Sequence, residues 1–222
     1  MTPADAAGPA APGCPGEVVV RRARTSDVPA VRALVDHYAP SRRLLGKATV
    51  TLYEDLQEFR VAVVRDPDGT ERLAGCGALH VLWADLAEVR TLAVDPALAG
   101  RGIGHRLLDA LLDEARALGV ARVFCLTFET GFFARHGFRA VTEVPVDRQV
   151  VEELLQSPDE GVAEFLDLAR VRPNTLGNTR MLRDLDLADE RALVAGRGQA
   201  ASRTPGSSTG GSASAASQPR HR

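Results

Sequence analysis

The chain has 222 residues, 45% apolar and 25% charged, with a net charge of −2. That is ordinary globular composition, with enough length for a real core. It excludes a membrane span, since no run of about 18 apolar residues occurs, and a secretory signal, since Asp5 and prolines stand where a basic start and an apolar stretch are needed.

In chain order, residues 1–16 are rich in Pro, Gly and Ala and carry no periodic apolar pattern. Residues 17–23 read as a first strand. Thr25, Ser26 and Asp27 offer helix caps. Val28, Val31, Leu34 and Val35 then form the stripe of a helix over 28–38. A basic loop covers 42–48, and a second short helix is expected over 50–56. Residues 59–65 alternate into a strand, and Asp66-Pro67-Asp68-Gly69 is a turn signal. Strands follow over 72–82 and 86–95.

Asp95-Pro96 opens a loop that ends at Gly100-Arg101-Gly102-Ile103-Gly104. Ile103, Leu107, Leu108, Leu111, Leu112 and Ala115 mark one face of a helix to about 118, and Gly119 ends it. Residues 122–128 are apolar enough for a strand buried on both faces. A short helix over 130–136 stops at Gly137, and a strand is expected over 138–144. A helix over 146–156 and a loop over 157–162 follow. A last strand is expected over 164–171, with an irregular end over 173–185. The Ser/Gly/Ala stretch from Ser202 to Ser217 closes the chain.

Both ends lack the side chains to pack and read as disordered extensions over 1–16 and 186–222. One domain remains, over 17–185. Asp5 carries −1 and the segment from 186 carries +2, which leaves about −3 for that body. Such a charge is no footprint for nucleic acid. Cys14, Cys76 and Cys125 are odd in number, far apart and without CxxC spacing. That argues against a zinc module or disulfide framework and for a reducing, cytoplasmic setting. Lys47 is the sole lysine among 27 basic residues. The order β-α-α-β-β-β-α-β-α-β implies an α/β (α+β) fold: a mixed, mostly antiparallel sheet with helices on both faces.

Gly100, Gly102 and Gly104 stand directly between a strand and a helix. Glycines let backbone approach a ligand, and a helix N-terminus adds free N–H groups and positive dipole, so the pair favours a phosphate. A flexible turn of small residues is the alternative. A Walker loop would end Gly-Lys-Ser/Thr, whereas this one runs Gly104-His105-Arg106. A dinucleotide loop would lie in the first βαβ unit, and three strands precede this one.

Val94-Asp95-Pro96 followed by Arg101-Gly102-Ile103-Gly104-His105-Arg106-Leu107-Leu108 resembles the acetyl-CoA loop of the GCN5-related N-acetyltransferases (GNAT). Phe132-Phe133-Ala134-Arg135-His136-Gly137-Phe138 is similar to that family's helix-to-strand segment ending in Gly-Phe. The resemblance covers about 18–170. A narrower one is to the short actinobacterial N-acetylglutamate synthases. It rests on Leu45-Gly46-Lys47, Leu52-Tyr53-Glu54, Phe59, Gly75 to Leu79, Glu88 to Val94, and Asn178-Thr179-Arg180-Met181-Leu182. Two positions depart from the wider family: its first loop Arg/Gln is Ala99, and its usual tyrosine acid is Phe133. The synthases share the second departure.

The resemblance implies acetyl transfer from acetyl-CoA to the α-amine of L-glutamate, the first step of arginine biosynthesis, with no metal. Direct transfer needs a base for the ammonium, donors for the oxyanion and an acid for the leaving sulfur. Glu88, on the strand before the loop, is the implied base acting through a water; a surface Glu paired with an Arg is the alternative. Thr127 is the implied acid, against a buried Thr satisfied by backbone. Backbone groups of Leu92, Ala93 and Val94 are implied to hold the acetyl carbonyl and pantetheine. Gly100, Arg101, Gly102, Ile103, Gly104 and His105 are implied to hold the pyrophosphate.

Two carboxylates on glutamate call for cationic clamps; Lys47, Arg90 and Arg180 are the candidates, with Thr179 beside Arg180 as a further implied substrate contact, each alone more often a solvated group. His80 is a second candidate base. His136 at a helix C-terminus is explained by a cap or dipole role, and Cys125 mid-strand by an inert core thiol. The expected partners are acetyl-CoA and glutamate, with no nucleic acid or membrane and a homodimer left open. Another amine acceptor, or a non-catalytic acyl-CoA sensor, are the competing readings.

Overall fold

Seven strands order as β1-β2-β3-β4-β5-β7-β6 in one sheet. The computed structural model describes residues 16–41, 44, 46–143, 146–159, 162, 166 and 178–187. The strands are β1 (Glu17–Arg22), β2 (Phe59–Arg65), β3 (Glu71–Trp83), β4 (Leu86–Val94), β5 (Arg122–Thr127), β6 (Arg139–Ala140) and β7 (Thr179–Asp184). The helices are α1 (Val28–Tyr38), α2 (Thr49–Glu54), α3 (Ile103–Ala117), α4 (Thr130–Ala134) and α5 (Arg148–Leu154). Every neighbouring pair is antiparallel except β4 and β5, which run parallel.

Local chemistry explains most boundaries. The β2–β3 hairpin turns at Gly69, whose φ of 85° suits glycine, and Gly69 N–H donates to Asp66 C=O at 2.9 Å. The α1 stripe Val28, Val31, Leu34 and Val35 is buried. The six apolar positions of α3 are buried too. Gly119 at φ 79° ends α3, and Val120 N–H closes back onto Ala115 C=O.

Helices cover both faces. α1 and α2 pack on β2 to β4 through Val35, Leu52, Phe59, Val61 and Ala78. On the same face α5 brings Leu154 against Leu86, Phe124 and Leu182. α3 covers the other face, with Leu108, Leu111 and Leu112 against Val89, Val123 and Cys125. Glu114 of α3 also binds Arg60, a buried charge on β2.

The C-terminal third departs from expectation. The end expected to be irregular contains β7, paired along its whole length with β5. Its sequence, TRMLRD, has adjacent apolar residues and no period of two. Pairing to a buried strand makes it a strand, and both Met181 and Leu182 are buried. The strand expected over 138–144 shrinks to two residues at the sheet edge. The expected strand over 164–171 lies outside the described residues except at Leu166, whose N–H bonds back to Val162 C=O at 3.0 Å as in a helical turn. The terminal extensions lie outside the described residues, apart from Gly16, Asp186 and Leu187; Leu187 packs on the α3 core.

Candidate active site

The site begins where two strands part. β4 and β5 pair only at Leu86–Arg122, Ala87–Val123 and Glu88–Phe124. Beyond Glu88 they diverge, and the β5-facing edge of β4 is left without a β5 ladder. β4 also bulges there: its register against β3 jumps between Ala78–Arg90 and Cys76–Ala93. Thr91 sits in the bulge at φ 57°, the one positive-φ non-glycine among the described residues. A β-branched residue in that region is strained, by about 1–3 kcal/mol. The glycines of β3 make room for it. A Cβ on Gly77 would come within 2.9 Å of Leu92 Cδ1, and one on Gly75 within 2.7 Å of the Ala93 carbonyl oxygen. Leu92, Ala93 and Val94 therefore follow the bulge along the opened edge, and Tyr38 Oη donates to Val94 C=O at 2.7 Å.

The glycine loop closes the same end of β4. Gly100 and Gly102 take φ of 76° and 77°. No atom lies within 4 Å of a Cβ on either, so these glycines serve backbone conformation rather than space. α3 starts at Ile103, and its first-turn amides, including those of Gly104 and His105, have no acceptor one turn back within the helix. Arg101 is exposed beside them. His105 Nδ1 lies 2.6 Å from His136 Nε2, and His136 Nδ1 lies 3.2 Å from Asp109. Phe132 packs against both imidazoles. His136 thus joins a side-chain chain as well as standing after α4. Burial, then His105 and Arg183, hold its imidazole below the ordinary value against the pull of Asp109.

A second, charged cluster lies on the α1–α2 face. His80 pairs with Glu88 and Ala78 with Arg90 across β3 and β4, so His80, Glu88 and Arg90 share that face. Glu88 is 5% exposed. Arg90 binds Asp55 at 3.2 Å, Glu58 at 2.9 Å and Asp159 at 2.9 Å. Lys47 reaches the same Asp55 oxygen at 3.2 Å. His80 Nδ1 lies 2.7 Å from Glu58. Burial pulls the Arg90 guanidinium down, but Glu58, Asp159 and Glu88 more than offset that and leave it raised. Burial raises Asp159, and Arg90 overcomes it to leave that carboxyl below its ordinary value.

The other candidates stand on β5 and β7. Thr127 pairs with Thr179 and is buried; by alternation it faces the α3 side, opposite to Glu88. Its Oγ1 accepts the Glu129 N–H at 2.9 Å, which leaves its hydroxyl proton to donate. Arg180 pairs with Leu126, two strands from Arg90, and donates to the Thr142 carbonyl oxygen at 3.3 Å. Lys47 and Arg90 are thus brought together through Asp55, whereas Arg180 stands on the Leu126 face of β7 and Thr179, paired with Thr127, on the α3 face. Cys125 neighbours Glu88 electrostatically; burial and that charge push its thiol far up.

Sequence reasoning missed Asp55, Glu58 and Asp159. Asp55 and Glu58 are three apart where α2 ends, a weak signal that only Arg90 gives meaning to. Among the described residues no group of three or more His, Cys, Asp or Glu is placed to hold a metal, and no helix is long and apolar enough to cross a membrane.

Residues 30–138 match the acetyltransferase (GNAT) family. Over 164 residues the chain is 61% identical to the amino-acid acetyltransferase of Mycobacterium tuberculosis, spanning 74% of this chain and 92% of that protein. The crystal structure of Rv2747 from the same organism, solved with CoA, superposes with a TM-score of 0.71 at 60% identity, over 76% of this chain and 99% of that one. N-acetylglutamate synthase from Neisseria gonorrhoeae, complexed with CoA and N-acetyl-glutamate, matches at 28% identity and a TM-score of 0.58. That match covers 77% of this chain and only 36% of the gonococcal one.

Proposed function

The chain belongs to the acetyltransferase (GNAT) family, and on that premise we propose that it acetylates the α-amine of L-glutamate from acetyl-CoA. The observation that carries the reading is the junction at Glu88. There the opened β4 edge, continuous with the glycine loop, meets a face bearing Lys47, Arg90 and a buried carboxylate. The relatives that bind CoA and N-acetyl-glutamate support both halves of it.

The residues present fit acetyl-CoA. Backbone N–H groups over Gly100, Arg101, Gly102, Ile103, Gly104 and His105 suit a pyrophosphate, with the helix dipole behind them. They do so with Ala99 in place of a side-chain donor. The free edge at Leu92, Ala93 and Val94 suits an extended chain and a carbonyl oxygen. Acetyl-CoA supplies the reactive thioester. Glu88 takes the ammonium proton through a water and frees the amine for attack. Amides at the bulge stabilise the developing oxyanion, an effect worth about 3–4 kcal/mol per good donor. Thr127 donates toward the leaving sulfur. Lys47 and Arg90 hold the acceptor's carboxylates, with Arg180 on the same sheet face across β5, and Thr179 beside Thr127 on the other. We assign this activity to a domain over 17–185, acting in the cytoplasm.

The test is thiol release from acetyl-CoA by purified protein against the twenty amino acids and several polyamines. Turnover with glutamate, alone or with glutamine, is expected. Turnover with a different amine alone would overturn the acceptor and keep the chemistry. Acetyl-CoA binding without any turnover would favour a sensor.

A further inference from the structure

We propose that His80, held in place by Glu58, is the route by which the proton collected by Glu88 leaves the acceptor site. The inference rests on the acetyltransferase reading only in that the acceptor is an ammonium. Each turnover strips one proton from that ammonium before attack, and the base must return to its charged form. Glu88 is 5% exposed at the vertex of the cleft and is poorly placed to discharge to bulk water by itself. His80 is its direct partner across β3 and β4. Side chains of such a pair start about 4.5–5.5 Å apart at Cβ on one face. His80 keeps 22% of its side chain exposed.

The tautomer follows from the contacts. His80 Nδ1 lies 2.7 Å from Glu58 Oε1 and 3.0 Å from Arg90 Nη2. A guanidinium nitrogen only donates, so Nδ1 cannot serve both as bonds unless it donates and accepts together. The shorter contact, to a carboxylate, requires a proton between the two atoms. Arg90 Nη2 has other acceptors, Glu58 Oε2 at 2.9 Å and Asp55 at 3.2 Å. Nδ1 therefore carries the hydrogen and donates it to Glu58, and the lone pair is on Nε2. Among the described residues Nε2 has no hydrogen-bond partner. The geometry is a carboxylate orienting an imidazole, with its basic nitrogen left to water.

The proton account balances without any further reactant. The ammonium gives one proton to the Glu88 carboxylate. Glu88 passes it to His80 Nε2, across a water. Nε2–H gives it to solvent, and both groups regain their starting forms. The proton that the nitrogen loses after attack goes separately to the leaving sulfur. Glu58, Asp55, Asp159 and Glu88 surround the transient imidazolium with negative charge, and Arg90 and Lys47 oppose it. Glu58 is a positioning residue here, and His80 is the carrier.

The experiment compares wild type, His80→Gln and Glu58→Gln in thiol release over pH 6–9, with whichever acceptor the wild type uses. In His80→Gln, kcat is expected to fall about tenfold or more at neutral pH, with the acetyl-CoA KM unchanged. Added imidazole is expected to restore the rate in proportion to its concentration. Glu58→Gln is expected to lose less and to shift the acidic limb of the profile. A His80→Gln rate within about threefold of wild type overturns the route, and so does a loss that imidazole does not rescue. Nitrogen-15 spectra of histidine-labelled wild type read the tautomer without any variant: Nδ1–H is expected for His80, and Nε2–H overturns the proposal. A wild type that acetylates another amine sinks the glutamate reading and leaves this test standing on that amine.

Discussion

Arg90 Nη1 and Asp159 Oδ2 meet at 2.9 Å, and their bond ties the middle of β4 to the segment that follows α5. The other amino group of Arg90 holds Asp55 and Glu58, at the exit of α2. One guanidinium thus joins the two walls of the acceptor face. It is 9% exposed and faces three carboxylates, so a substrate carboxylate that bound Arg90 would have to compete with Asp159 for it.

Replacing Asp159 by Asn keeps the shape and removes the competing charge. The glutamate KM is expected to fall about threefold or more, with the acetyl-CoA KM unchanged. Lys47→Ala should act in the opposite sense and raise the glutamate KM at least tenfold, a loss of about 1.4 kcal/mol or more of binding. Steady-state kinetics on both variants decide it. A raised KM in Asp159→Asn would make the Arg90–Asp159 bond a brace alone, and an unchanged KM in Lys47→Ala would remove Lys47 from the site.

Two glycines should fail in different ways. Gly102→Ala meets no neighbour but inherits a φ of 77°, which costs an L-residue about 1 kcal/mol. The expected result is weaker acetyl-CoA binding with a small change in Tm. Gly75→Ala drives a methyl to 2.7 Å from a backbone oxygen and 3.0 Å from Leu107 Cδ1. It should cost about 1–3 kcal/mol of stability by forcing β4 and α3 apart. Calorimetry and acetyl-CoA titration separate the two; equal effects of both variants on Tm would refute the distinction.

The first five strands, the α3 stripe and the glycine loop were legible because each has its own local signal: apolar strand runs, a 3.6-residue period, and glycines at a strand–helix junction. Glu88 and Arg90 were legible as a pair because two residues apart on a strand share a face. What the sequence hid is what only long-range pairing decides. β7 has no periodicity of its own and becomes a strand through β5. Asp55, Glu58 and Asp159 carry no motif, and they acquire a role because α2 and the segment after α5 converge on one arginine. The opposite facing of Glu88 and Thr127 likewise depends on the β4–β5 register.

The two described cysteines should be silent in the native protein. Burial pushes Cys76 up to about 12, and Cys125 is pushed further by burial and by Glu88. Thiolate is the reactive form, so neither offers a nucleophile near neutral pH. In a Cys14→Ser variant at pH 8, a thiol reagent is expected to count none before denaturation and two after. Labelling of the native protein at Cys125 would reopen a covalent acetyl-cysteine.

His136 gives a pH dependence of stability with a definite sign. Its folded value lies below the ordinary histidine value of about 6.5. The unfolded chain therefore takes up this proton first as pH falls, and binding more protons in the unfolded state means stability rises with pH. The contribution is fully present above about 6.5 and is lost below it. Tm is expected to drop as pH falls below about 6.5, and His136→Gln to flatten that slope. Identical slopes in the two proteins would show that the His105–His136–Asp109 chain takes its proton equally well in the folded state.

Glu88→Gln tests the centre of the site. Gln fills the same space among Phe124, His80 and Arg90 but neither ionises nor accepts a proton. If Glu88 takes the ammonium proton, kcat is expected to fall by about 10², while the acetyl-CoA KM stays put because the glycine loop and the bulge are untouched. The defect should shrink as pH rises toward the acceptor's own pKa, where free amine no longer has to be made on the enzyme. Removing the charge also takes one counter-ion from Arg90 and one source of upward push from Cys125, so a fall in stability is expected as well, and Tm has to be read beside the rates. A pH-independent loss that tracks only Tm would assign Glu88 to holding Arg90 in place and move the proton chemistry elsewhere.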